Sequence, residues 1–206
     1  MATITSHYNT ITWDMQQATS IGNGAECEVF SSSQLDDNMV AKLPFTCDDH
    51  PFDTHEGWVN MFMDNALKAY DMDAGPRVLG MVLNTDGDLI GYITERVRTT
   101  DDIIQDIFDY TDIAYVNASP EDTDALDAWQ YSLQEEPGEA ICSFDTVEAL
   151  LHPNVKQFVE ELEQIDLSLY DFMDMGFCDM HMWNVGLLNG EPITIDHGPY
   201  SRLQDL

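Results

Sequence analysis

The sequence predicts an α+β fold in two parts. Residues 1–97 form a small, mainly antiparallel sheet carrying one helix, and residues 98–206 a reduced, mainly helical part. Three observations predict it. Short apolar runs broken by turn signals crowd the first half, and one long amphipathic stretch dominates the second. Between them lies a segment, 99–155, without a single Lys or Arg, in which 14 acids fall from Asp101 to Glu148. That change in polarity marks the boundary.

Residues 24–32 alternate loosely and 39–45 (MVAKLPF) are short and apolar, so both read as strands across the turn-like SQLDDN. From about Thr54 to Tyr70, the residues Trp58, Met61, Phe62, Asn65, Leu67 and Ala69 recur at helical spacing, and Gly75-Pro76 breaks the run. Arg77–Leu83 and Leu89–Val97 read as strands joined by a hairpin signal, Asn84-Thr85-Asp86-Gly87-Asp88. Around Asn117–Gly138 no period is clear, so an exposed loop or irregular helix is expected. After Pro153, Val155, Phe158, Val159, Leu162, Ile165, Leu169, Phe172 and Met173 return at steps of three and four, an amphipathic helix with Gly176 as its stop. Val185–Leu188 and Pro192–Ile195 then flank Asn189-Gly190, the strongest kind of hairpin signal.

The 206 residues carry 39 acids against 7 bases, a formal net charge of −32. Because 44% of residues are hydrophobic, the chain has a core to bury and is not a disordered acidic tail. Phosphate backbones and anionic lipid repel such a surface, so direct nucleic-acid and membrane binding are not expected, whereas basic proteins and divalent cations are favoured. The opening MATITSHYNT has neither a basic nor an apolar signal region, and no stretch is apolar enough to span a bilayer, which predicts a soluble, cytoplasmic protein. Cys27, Cys47, Cys142 and Cys178 are widely spaced and form no CxxC pair, as expected of free thiols in a reducing compartment.

Three features carry chemistry. Gly22-Asn23-Gly24, followed by Val29, is a glycine-rich turn whose backbone N–H groups could approach a phosphate, although an ordinary turn before a strand has the same composition. Lys42, one of only three lysines, lies inside the apolar Val40-Ala41-Lys42 run beside the Gly-rich turn, a notable placement to which a snorkelling strand lysine is the alternative. In Phe177–Asn184, Asp179 precedes Asn184 by five residues, and the hairpin that follows delivers Asp196-His197-Gly198. One carboxylate could orient and deprotonate a hydroxyl, while an amide oxygen and a second carboxylate hold magnesium on a triphosphate.

In these residues the chain resembles the protein-kinase superfamily over nearly its whole length. GNGAECEVF and CDMHMWNVGLLNGEPITID are most similar to the early serine/threonine protein kinases of short-tailed (autographivirus-type) coliphages. The resemblance implies a protein-kinase-like two-lobe fold. It makes Gly22, Asn23, Gly24 and Val29 the phosphate-covering loop, Lys42 the lysine on the α- and β-phosphates, and Glu56 its helix partner. Thr94–Val97 would be the hinge, with Glu95 and Val97 meeting the adenine. Asp179 would accept the hydroxyl proton, His181 would stand near the transferred phosphate, and Asn184 with Asp196 would hold Mg2+. ATP and Mg2+ are the implied ligands, and host proteins, basic or DNA-binding, the implied partners.

The departures from the family are specific. Cys27 stands at the third glycine of the loop, Phe177-Cys178 replaces His-Arg, and His181 and His197 replace a lysine and a phenylalanine. Only eight residues follow Gly198, too few for the family's usual peptide-docking elements. Three functions are compatible with these residues. The first is ATP-dependent phosphorylation of Ser or Thr on host proteins during infection. The second is an acidic DNA mimic on a kinase-like scaffold that blocks a basic DNA-binding protein such as RNA polymerase or a restriction complex. The third is phosphorylation of a small cationic molecule.

Overall fold

The structure, a computed structural model, describes residues 9–23, 26–45, 54–111, 114 and 118–196. It is a mixed α+β architecture of two units, Met1–Arg96 with Asp196–Leu206, and Val97–Ile195.

The first unit is built on β1 (Asn9–Thr12), β2 (Ala18–Asn23), β3 (Cys27–Ser32), β4 (Met39–Pro44), β5 (Val78–Leu83) and β6 (Leu89–Glu95). They form one sheet in the order β1-β5-β6-β4-β3-β2, antiparallel throughout except for the β1–β5 pair. The first strand expected from the sequence is corrected: 24–32 is not one strand, since β3 starts at Cys27 and a separate β2 precedes it. The sheet has two apolar faces. On one, Trp13, Phe30, Ala41, Val82 and Ile93 pack together; on the other, Val78 and Tyr92 pack against Trp58, Phe62, Met63 and Ala66 of α1 (His55–Asp71). Helix α1 begins where Thr54 accepts a hydrogen bond from the Gly57 N–H through its side chain (3.1 Å).

Alternation along the strands decides which face each side chain joins. Ala41 is paired with Phe30 and Ile93, so the next residue, Lys42, turns to the opposite face in a cross-strand row with Val29 and Tyr92. Strands β4 and β6 approach closely there. A Cβ on Gly91 would fall on the Lys42 carbonyl oxygen.

The second unit holds α2 (Thr100–Thr111), α3 (Pro120–Glu135), α4 (Pro137–Ser143) and α5 (Val155–Asp174). It also holds a three-stranded sheet of β7 (Arg98–Thr99), β8 (Val185–Leu188) and β9 (Glu191–Thr194). The stretch expected to be a loop or irregular helix is a regular one. Ser119 and Asp122 form a reciprocal capping box, Pro120 occupies the first turn, and Leu126, Trp129 and Leu133 supply a narrow buried stripe. Inside this unit Arg98 ties three elements together. It donates to Asp106 of α2 (2.6 Å) and Glu161 of α5 (2.9 Å), and its guanidinium lies 5.5 Å from the Phe158 ring centre. Burial works against its charge, and the two carboxylates more than offset that, so its pKa is raised. Asn189 and Gly190 both take positive φ (55° and 86°), the twist that joins β8 to β9. Among the described residues no helix is long and apolar enough to cross a membrane.

Candidate functional site

In the first unit Lys42 lies on β4, paired across the sheet with Val29 and Tyr92. Its side chain is 9% exposed, and its charge acts on the Cys27 thiol, two residues from Val29 on β3. Asp196 belongs to this unit too. The charge of its carboxylate is felt by Glu26, Cys27 and Tyr92. Burial pushes the Cys27 thiol up, Lys42 opposes that, and Asp196 and Glu26 reinforce it. The thiol is held in its neutral, unreactive form. Burial, and then the charge of Asp196, push the Glu26 carboxyl up to about 7.

Gly22 and Asn23 end β2, with Gly22 paired to Val29 across the turn, and Gly24 lies outside the described residues. Glu56 is exposed in the first turn of α1, while the polar residue on the buried face of that helix is Asn65, 2% exposed. Thr94 is buried, and its hydroxyl has no hydrogen-bond partner among the described residues. Glu95 accepts from the Arg77 backbone N–H (3.0 Å) and forms an ion pair with the Arg77 side chain (3.3 Å). Val97 is buried and belongs to the second unit. His197 and Gly198 lie outside the described residues.

In the second unit the loop from Phe177 to Asn184 is fixed at both ends. At the C-terminus of α5 the Phe177 N–H donates to the Phe172 carbonyl (3.1 Å) and the Gly176 N–H to Met173 (3.0 Å), with Gly176 at φ 98°. Phe172 and Phe177 meet edge-on with ring centres 6.0 Å apart. This is a Schellman ending with its hydrophobic contact, and it explains why an aromatic residue stands at 177. Downstream, the Thr100 hydroxyl donates to the Met182 carbonyl (2.7 Å), and the Ile195 N–H to the Asn184 carbonyl (2.9 Å). Asp179 sits at φ 57° with an exposed side chain, and its carbonyl accepts a hydrogen bond from Asn184 Nδ2 (2.8 Å). His181 is exposed beside it, its carbonyl taking the Asn184 N–H (2.9 Å).

These arrangements bear on whether a divalent cation fits. With its amide nitrogen committed to the loop, Asn184 has its Oδ1 left as the acceptor. Asp196 and Glu26 place two carboxylates where their charges repel, a situation that a hard cation relieves. Among the described residues no group of three or more His, Cys, Asp and Glu could hold a metal by itself. Asn184 Oδ1 in the second unit and the Asp196 carboxylate in the first are each, by type, oxygen donors of the kind Mg2+ takes.

Sequence reasoning missed Glu26, Gly91 and Thr100. An acid inside the glycine-rich turn was a visible signal for Glu26. Nothing local marks a glycine lying over a neighbouring carbonyl, or a hydroxyl meeting a partner 82 positions away.

No protein-family model matches the chain, and no curated protein matches it. Among solved structures it is similar to an apo pseudokinase at 9% sequence identity and a TM-score of 0.42, over 97% of this chain and 62% of that one. The chain thus spans less than two thirds of that pseudokinase's length.

Proposed function

We propose that the protein transfers the γ-phosphate of ATP to Ser or Thr hydroxyls of host proteins during infection, on a kinase-like fold with which the mixed α+β architecture is compatible. The observation that carries this reading is the loop at Asp179. There Asp179 takes positive φ, its backbone carbonyl accepts from Asn184 Nδ2, and its carboxylate is exposed, in a loop braced by a Schellman ending and by the buried Thr100 hydroxyl. That fixed backbone with a free carboxylate is the arrangement a hydroxyl-orienting base requires.

On this reading Lys42 binds the α- and β-phosphates, supported by the glycine-rich turn and by Glu56 as the expected partner. Val97 and Glu95 offer backbone groups to the adenine. Asn184 Oδ1 and Asp196 would hold Mg2+, which when bound supplies charge neutralisation on the phosphates. Asp179 orients the acceptor hydroxyl and takes its proton, and His181, when protonated, adds positive charge near the transferred group. Positioning and electrostatic stabilisation supply most of the rate.

The test is transfer of labelled phosphate from ATP with Mg2+, with purified protein and host extract as acceptor. Asp179→Asn is expected to reduce transfer by about 10²–10⁴-fold with the thermal melt unchanged. Equal transfer by both proteins, or none by either, overturns the reading.

The charge favours a second reading, an acidic mimic of DNA that occupies a basic groove. Its support is that the base-free segment is folded, with exposed acids carried on α2, α3 and α4. Salt-sensitive displacement of DNA from host RNA polymerase or a restriction complex, retained in Asp179→Asn, is its expected signature; displacement that ignores salt rejects it.

A further inference from the structure

We infer that the outward face of α5 docks a basic, amphipathic segment of a partner protein, one that offers apolar anchors among Lys or Arg residues. Helix α5 packs on α2, α4 and the β8–β9 hairpin through Val155, Val159, Leu162, Ile165 and Phe172. Its C-terminal half leaves Leu167, Tyr170 and Met173 in solvent, 67%, 76% and 54% exposed, with Leu167 turned farthest from the buried stripe. Single exposed apolar residues are ordinary, but these recur every three positions and so form one ridge along a helix. Exposed Glu160, Glu163, Asp171 and Asp174 accompany the ridge, and no Lys or Arg occurs from 157 to 201.

The combination selects the occupant. A purely apolar partner would have to desolvate the flanking carboxylates without pairing them, and a purely basic one would leave the ridge in water. A second copy of the chain would bring together two surfaces from molecules of net charge −32. A segment alternating cationic and apolar residues satisfies both features. Tyr170 is the natural anchor, since a tyrosine contributes a large contact area at small entropic cost. The surface goes beyond the phosphoryl-transfer reading, and it can be probed equally well in Asp179→Asn protein, so failure of one leaves the other standing.

The probe is a fluorescent 18-residue peptide of Leu and Lys at helical spacing, titrated with the full chain. A peptide with each Leu replaced by Gln and another with each Lys replaced by Glu serve as controls. Wild type is expected to bind the Leu/Lys peptide at least tenfold more tightly than either control. Leu167→Ser/Tyr170→Ser should lose about tenfold in affinity with its thermal melt unchanged, and Glu163→Gln/Asp171→Asn should flatten the salt dependence instead. Affinity for the Leu/Lys peptide that is unchanged in the apolar double variant overturns the inference. So does a wild-type dimer that dissociates in that variant, because the ridge would then serve a second copy.

Discussion

Replacing Glu26 by Gln should make the protein more stable, and only at the pH values where the wild-type carboxylate is forced to ionise. In the fold this carboxyl is raised from 4.5 to about 7, first by burial and then by Asp196. Below pH 4.5 it is protonated in both the folded and unfolded chains and contributes nothing. As the pH rises from 4.5 to 7 the unfolded chain releases its proton while the folded chain retains it, so stability falls across that window and the full penalty is present above about pH 7. The displacement corresponds to about 3 kcal/mol in the absence of screening. Glu26 is only partly buried, and solvent reduces that to about 1–2 kcal/mol. At roughly 2–4 °C per kcal/mol for a chain of this size, the variant should melt about 3–6 °C above wild type at pH 8 and within about 2 °C of it at pH 5. Melts of both proteins at fixed ionic strength, followed by far-ultraviolet circular dichroism from pH 5 to 8.5, read the difference directly and cancel the titration of the other acids. Asp196→Asn should shrink the difference without abolishing it, since burial is the larger cause. A gap that is the same at pH 5 and pH 8, or one of opposite sign, refutes the reasoning.

Two further substitutions test how each unit is held. Arg98→Met keeps the stem over Phe158 but leaves Asp106 and Glu161 facing each other without their cation; at the partial exposure of this cluster the loss should be about 2 kcal/mol, read as a fall of about 4–8 °C in the melting temperature, and a change below 1 °C refutes the clamp. Gly91→Ala drives a methyl group onto the Lys42 carbonyl, so β4 and β6 must part; a cost of about 1–3 kcal/mol is expected in urea unfolding, and an unperturbed protein refutes the close approach.

Legibility from sequence followed the width of the buried face. Helices α1 and α5 bury residues at broad helical spacing, and both were readable from that period alone. Helix α3 buries only Leu126, Trp129 and Leu133, and its other faces are acidic or polar, so the period is diluted although Ser119-Pro120 and Asp122 announce its start. Strands β1 (NTIT) and β2 (ATSIGN) are short, polar and largely exposed at the two edges of the sheet, which leaves little hydrophobic alternation to detect. The site divided in the same way. Lys42 stood out because its strand is apolar, and Asp179 and Asn184 because their spacing matches a known loop. The clamp from Thr100 and the influence of Asp196 on Glu26 depend on contacts between residues far apart in sequence, and no local pattern encodes those.

The structure also redistributes the charge that dominates the composition. Five of the seven bases fall in the unit that carries Lys42 and Asp196, whereas Val97–Ile195 holds 22 acids against Arg98 and Lys156. Several of those acids serve the fold: Asp102, Glu121, Asp122 and Glu139 lie in first helical turns, where the exposed N–H groups favour negative charge, and Asp106 and Glu161 bind Arg98. The exposed acids along α5 have no such task and sit beside an unburied apolar ridge. Solvation alone would account for the carboxylates but not for Leu167 and Tyr170 among them, since an acidic surface selected for solubility gains nothing from exposed Leu and Tyr. The proposed α5 docking surface would give the acids beside this ridge a use that solvation alone does not.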